Sequence, residues 1–308
     1  MGVGQSVTVI VPAYNEEQRI SAGLERIISA LLASDLATRD LELIVVDDGS
    51  GDETAIKARA FASPIIPLRV ISLSKNSGKG AAIRAGLAQA RGALSCFIDA
   101  DASIDPRHLS DIVQALESSP IAIGDRASDG HRIEYHSPVR SAMGRIFNRL
   151  VRLLSGVRIV DTQCGCKGFT TATGRLLFAL GSIDGFAFDV ELLRTAERLD
   201  LDVSSVPVNW KDMSGSHVRR IHDPAVMVFD LFRSRMGEGR RSVPAVQIPE
   251  DVLIEPGPWI EIVTKRASYL TSAGKGYAEQ ELAALGDIIP LSLHRLAREG
   301  LERLALKA

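Results

Sequence analysis

The feature that most limits how this chain can fold is an alternation through its first 125 residues: short apolar runs, each followed by a stretch with helical spacing. Val7–Val11, closed by Pro12, reads as a buried first strand. Ile20, Leu24, Ile27, Ile28 and Leu31 then recur at helical spacing, predicting an amphipathic helix from about Glu16 to Ala33. Leu43–Val46 reads as a second strand ending in Asp47-Asp48-Gly49-Ser50, with a helix after it through Ala55 to Ala60. Leu68–Leu73 is a third strand, Gly78–Ala90 an Ala-rich helix, Ala93–Ile98 a fourth strand and Ile121–Ile123 a short fifth. Between the last two, Asp105-Pro106 opens a helix with Asp as N-cap and Pro in its first position. Strands that recur with helices every 20–30 residues or so predict an α/β fold, a mostly parallel sheet covered on both faces.

Ligands of such sheets bind beyond the carboxyl ends of the strands. Tyr14-Asn15-Glu16, Asp47-Asp48, Asn76-Ser77-Gly78 and Asp99-Ala100-Asp101 all fall at that edge. Asp99 and Asp101 follow a buried strand directly, and a spacing of two along an extended backbone turns both carboxylates the same way. Two like charges at a buried strand end need a cation between them, and a hard ion such as Mg2+ or Mn2+ suits carboxylate and phosphate oxygens. The plain alternative is an acidic loop. The turn after the first strand lacks the Gly-x-Gly-x-x-Gly of dinucleotide enzymes, and Ser77-Gly-Lys-Gly80 lacks the first glycine and final hydroxyl of a P-loop. A nucleotide-sugar transferase needs neither, and needs the divalent ion that this edge invites.

The alternation stops near Arg126. Ser141–Leu154 is expected to be helical, with Arg145, Arg149 and Arg152 on a side away from its apolar residues. That basic face suits either an anionic membrane surface or a solvated flank of a core helix. Asp161–Gly165 reads as a polar loop leading into Lys167-Gly-Phe169, Phe188–Leu193 as the start of a helix, and Val203–Val208 as a late strand. Trp210–Val218 reads as a Gly/Ser loop and Val226–Met236 as a helix. From Arg240 a Pro- and Gly-rich segment reads as a linker, and Glu279–Ala308 as short helices. The expected division is residues 1–241 as the catalytic domain, with a nucleotide-binding half 1–125 and an acceptor half 126–241. Residues 242–308 form a helical extension of no assigned role. Lys and Arg total 36 against 38 Asp and Glu, so composition gives no case for a nucleic-acid partner. Three cysteines make no disulfide framework, and no apolar stretch approaches the roughly 18–20 residues of a membrane span, so a cytoplasmic setting is expected.

Four segments carry a resemblance. Val-Pro-Ala-Tyr-Asn-Glu-Glu (11–17), Val-Val-Asp-Asp-Gly-Ser (45–50), Asn-Ser-Gly-Lys-Gly (76–80) and Asp-Ala-Asp (99–101) resemble the family 2 inverting glycosyltransferases of GT-A fold. Arg158–Phe169, Phe188–Leu193 and Val208-Asn-Trp with Ser214–His217 resemble, within them, the dolichyl-phosphate β-glucosyltransferases. The resemblance implies that Pro12, Tyr14, Glu16, Asp47, Lys79 and Asp99 hold the nucleotide, and that Asp99 and Asp101 bind Mg2+ or Mn2+. It implies that Arg126 faces a phosphate, that Asp189 stands where relatives with hydroxyl acceptors place a base, and that Gln163, Ser216 and His217 lie on the acceptor side. The implied reaction moves a hexose, glucose from UDP-glucose, onto a polyprenyl phosphate, with the protein peripheral at the inner face of the cytoplasmic membrane. The alternative is the same donor chemistry on a soluble hydroxyl acceptor. The chain departs from this group at Cys166, where an aromatic is usual, and at His217, where a lysine is usual.

Overall fold

The computed structural model describes residues 5–61, 66–126, 133–134, 159 and 161–211, all within the unit Met1–Arg240. The predicted basic helix 141–154, Ser216, His217, the helix 226–236 and the whole C-terminal extension lie outside the described residues.

Strands β1 (Val7–Ala13), β2 (Leu41–Asp47), β3 (Leu68–Ser72), β4 (Leu94–Ile98), β5 (Ile121–Asp125), β7 (Cys166–Thr170) and β8 (Val203–Pro207) form one sheet in the order β3-β2-β1-β4-β7-β5-β8. Every pairing is parallel except those of β7, which runs antiparallel between β4 and β5. A two-residue strand β6 (Ile133–Glu134) pairs with β9 (Trp210–Lys211). β1 extends through Pro12, which the sequence placed at its end. The proline lies beyond Ile10, where pairing to β4 stops, so its missing N–H interrupts no ladder there.

Helices α1 (Ile20–Leu32), α2 (Thr54–Arg59), α3 (Lys79–Gln89), α4 (His108–Ala115), α5 (Thr171–Leu180) and α6 (Phe188–Arg198) cover both faces. On one side Val7, Val9 and Val11 share a core with Ile20, Leu24, Ile27 and Leu31 of α1 and Leu109 and Ile112 of α4. Burying each of those aliphatic side chains contributes about 1.5–3 kcal/mol. On the other side Ile10 meets α3 at Gly86, and Phe97 and Phe169 pack with Phe178 of α5 and Phe188 of α6. Arg175 of α5 donates to the carbonyls of Leu87 and Ala90 at 2.9 and 2.7 Å, satisfying acceptors that the end of α3 leaves open.

Three expectations need correction. α1 starts at Ile20, because Glu16–Arg19 form a turn in which the Glu16 carboxylate is held by Arg19. Residues 166–170 are a core strand, although Cys-Lys-Gly-Phe-Thr has neither alternation nor a purely apolar run. Trp210 and Lys211 open the expected loop as β9, tied by the Lys211 N–H to the Ser103 carbonyl at 2.8 Å.

Candidate active site

The antiparallel entry of β7 makes the site. It brings Asp161–Gly165 to the edge where the parallel strands end, beside Asp99 and Asp125. The loop after β1 is stitched to the loop after β2. The Asn15 N–H donates to Ser50 Oγ at 2.9 Å, the Glu16 N–H to Thr54 Oγ1 at 2.7 Å, and the Gly51 N–H to Asn15 Oδ1 at 3.0 Å. Tyr14 projects from this frame, 40% exposed, one residue beyond Ala13, whose partner on β2 is the buried Asp47. Pro12, Tyr14 and Asp47 thus come together at the carboxyl ends of two neighbouring strands. Glu16 sits there too, but its carboxylate is engaged by the Arg19 guanidinium at 2.6 and 2.7 Å.

Asp48, passed over in favour of Asp47, has a separate task. Its two oxygens accept the N–H groups of Ser77 and Gly78, both at 2.8 Å, which sets the loop ahead of α3. Burial raises the Asp48 pKa despite those two bonds. Gly78 has φ +104°, and a Cβ there would come within 2.4 Å of the Asp184 carbonyl. That carbonyl accepts the Gly80 N–H at 2.7 Å, and the Asp184 carboxylate pairs with Arg84. A doubled acidic residue at a strand end hints at Asp48; nothing local marks Asp184, because its partners lie about a hundred positions away.

This clamp aims Lys79, the first residue of α3, at the acidic turn: its Nζ lies 2.5 Å from Asp99 Oδ1. Burial would lower the Lys79 pKa, but the carboxylates of Asp99, Asp189 and Asp101 outweigh it and the pKa is raised. The Asp99 N–H donates to the Gly165 carbonyl at 3.1 Å, and a Cβ at Gly165 would fall 2.0 Å from Asp99 Oδ2. Only glycine leaves room for that carboxylate. Asp101 Oδ1 accepts the Ser103 N–H at 2.9 Å, and burial followed by the like charge of Asp99 raises its pKa. Gly23 of α1 closes the turn from behind, since a Cβ there would overlap the Ala100 carbonyl at 1.9 Å.

Farther along the edge, Arg126 donates through Nε and Nη2 to Asp161 at 2.7 and 2.8 Å. Burial raises the Asp161 pKa, but the bonds and charge of Arg126 win and hold it below the ordinary carboxylate value. Thr162 Oγ1 and Gln163 Nε2 are buried without hydrogen-bond partners among the described residues. Asp189 faces inward from the first turn of α6 and accepts from Lys167 Nζ at 2.6 Å. Lys167, which the sequence reading left unassigned, also donates to the Cys164 carbonyl at 2.7 Å and is fully buried. Burial raises the Asp189 pKa even though Lys167 and Lys79 pull it down. Burial likewise pushes the thiols of Cys96 and Cys164 up to about 12, so they are inert packing residues.

The residues fit a divalent ion in part of its shell. Asp99 and Asp101 are hard oxygen donors whose mutual repulsion calls for a cation. No group of three His, Cys, Asp or Glu suited to a metal occurs among the described residues, leaving the remaining positions to phosphate oxygens and water.

The profile described as Glycosyl transferase family 2 matches residues 8–171. A dolichyl-phosphate beta-glucosyltransferase of Drosophila melanogaster is 38% identical over 238 residues, 73% of this chain and 73% of that protein. One of Dictyostelium discoideum is 34% identical over 242 residues, 74% of this chain and 73% of that protein. Among solved structures, glucosyl-3-phosphoglycerate synthase from Mycobacterium tuberculosis, in complex with Mn2+, UDP and its product, superposes with a TM-score of 0.56. It is 24% identical, over 76% of this chain and 81% of that one, a likeness of fold.

Proposed function

Because the chain belongs to glycosyl transferase family 2 and has the GT-A fold, we propose that it transfers glucose from UDP-glucose to a polyprenyl phosphate of the dolichyl kind. A divalent ion, Mg2+ or Mn2+, assists at Asp99 and Asp101. The relatives' names support the sugar and the acceptor, and the Mn2+ and UDP of the structural neighbour support the donor side.

One observation carries the choice of acceptor: Asp189 is locked into an ion pair with Lys167, with 6% of its side chain exposed. A hydroxyl acceptor needs a base to take its proton as it attacks, and that base must reach the acceptor. A phosphate acceptor is an anion at neutral pH and brings its own nucleophilic oxygen. That oxygen forms the bond to the sugar's anomeric carbon as the bond to the nucleoside diphosphate breaks on the opposite face. An α-linked donor then gives a β-linked product with no proton to remove.

In this reading Pro12, Tyr14 and Asp47 receive the nucleoside, and Asp99, fixed above Gly165, and Asp101 face the diphosphate. A divalent ion bound there neutralises the departing diphosphate. Arg126, oriented by Asp161, and Gln163 lie on the acceptor side, with Ser216 and His217 assigned there by sequence alone. Among the described residues no helix is long and apolar enough to cross a membrane. The reading therefore has the protein meet its lipid peripherally, through the basic segment 140–152, at the inner face of the cytoplasmic membrane. The division at residue 241 belongs to the same reading.

A panel of nucleotide sugars offered with a short polyprenyl phosphate and with the matching polyprenol tests it, with products read by mass spectrometry. A hexosyl phosphate lipid formed from UDP-glucose supports the reading. Glycosylation of the alcohol but not the phosphate would overturn it.

A further inference from the structure

We propose that Lys79 is a placeholder for the divalent ion: in the metal-free enzyme its ammonium holds the Asp99 oxygen that the ion takes, and it passes to the donor's diphosphate when ion and donor enter. The inference rests on the reading of Asp99 and Asp101 as the metal carboxylates and goes beyond it.

Two lysines lie within 6 Å of the Phe97 ring centroid, Lys167 at 5.5 Å and Lys79 at 5.8 Å. Their circumstances differ. Lys167 is wholly buried and held by both the Asp189 carboxylate and the Cys164 carbonyl, so it has nowhere to go. Among the described residues Lys79 makes one ion pair, to Asp99 Oδ1, and both side chains of this pair reach solvent, at 17% and 32% exposure. Its backbone is fixed by the Asp48 and Asp184 contacts on either side, whereas its ammonium ends a stem of four carbons with several rotatable bonds. Asp99 Oδ2 lies over Gly165, and Oδ1 is the oxygen that Lys79 holds. An ion that binds Asp99 through Oδ1 takes the place of the Lys79 ammonium. The charge count agrees: two carboxylates with one ammonium keep a net charge of −1, a divalent ion in the ammonium's place brings them to zero, and the released ammonium then offsets one of the two negative charges of the donor's diphosphate.

The full-length wild type, Lys79→Met, Lys79→Gln and Lys79→Arg are compared by electron paramagnetic resonance of free Mn2+, first alone and then with UDP. Circular dichroism identifies any variant that does not fold, and the glutamine variant stands in for methionine in that event. Removing the competing charge should tighten Mn2+ binding about tenfold, equivalent to ~1.4 kcal/mol, in the methionine and glutamine variants, while arginine keeps the wild-type affinity or weakens it. The order should invert for the nucleotide, with UDP in saturating Mn2+ binding about tenfold more weakly to Lys79→Met. Unchanged or weaker Mn2+ binding by both neutral variants would overturn the placeholder role, and unchanged UDP affinity would overturn the transfer to diphosphate. A wild type that takes up no Mn2+ even with UDP would instead sink the metal reading itself.

Discussion

Lys167 donates to Asp189 across 2.6 Å in a place closed to water, joining the strand that enters the sheet backwards to the first turn of α6. An ion pair so buried is costly to break from one side, because the partner left behind keeps its charge without solvent. Lys167→Met should lower stability in urea unfolding by about 3–5 kcal/mol. Adding Asp189→Leu should recover most of that loss, since two apolar groups replace a pair without leaving a charge. A double variant as unstable as the single one would mean that Lys167 acts through something other than Asp189.

Gly165 sets the position of Asp99. A methyl group at 165 would meet Asp99 Oδ2 at 2.0 Å, so Gly165→Ala must push the carboxylate aside. A displacement of about 1 Å at a reacting centre costs on the order of 100-fold in rate. Steady-state turnover of the alanine variant should fall by that much, with Mn2+ binding weakened in parallel. Wild-type turnover in the alanine variant would contradict the placement of Asp99.

How much of this was legible beforehand divides along the chain. The first half was open to reading because β1, β2 and β4 are mainly apolar, with Thr8, Glu42 and Ser95 as second-position exceptions, and their polar clusters follow at the carboxyl ends, where parallel strands collect ligands. β7 was hidden for a physical reason. Its Lys167 belongs in the core only because Asp189, 22 positions later, neutralises it, and its Gly168 is there because Ile112 would meet a Cβ at 2.6 Å. Both are tertiary demands that leave no periodic trace. α5 carried a fair signal that went unused: Thr170 caps it by accepting the Thr173 N–H. The loops around Asp48 and Asp184 depend on backbone carbonyls and amides, which no side-chain pattern encodes.

Asp161 should leave a signature at acid pH. Its pKa is lowered in the fold from an ordinary 3.8, because Arg126 outweighs burial. A carboxyl with a lowered folded pKa binds fewer protons folded than unfolded, so it stabilises above the unfolded value and that stability is lost as pH falls through the folded one. Asp161→Asn should therefore be less stable than wild type by roughly 1.5–3 kcal/mol at neutral pH. Urea unfolding from pH 7 downward should show the gap closing once pH drops below 3.8. A gap that stays constant to the acid end would remove Asp161 from the ion pair.

Asp101→Asn should abolish turnover while leaving the far-ultraviolet circular dichroism spectrum and the urea midpoint near wild type. Loss of one charged ligand beside the departing diphosphate corresponds to about 10^2–10^4 in rate. Enzyme stripped with EDTA should be equally inactive until Mg2+ or Mn2+ is restored. Full activity in EDTA would refute any metal role for the Asp99 and Asp101 pair.

The central claim, that the acceptor supplies its own nucleophile while Asp189 stays sealed by Lys167, is tested most directly by the pH dependence of kcat/KM across acceptors of different acidity. With a polyprenyl phosphate the rate should rise as the acceptor loses its second proton, near pH 6 for a phosphate monoester, and then hold level. With a polyprenyl phosphonate, a weaker acid, the same limb should move to higher pH by the difference between the two acceptors' own pKa values. A limb fixed at one pH for both acceptors would mean that a protein base governs attack, and would contradict the account.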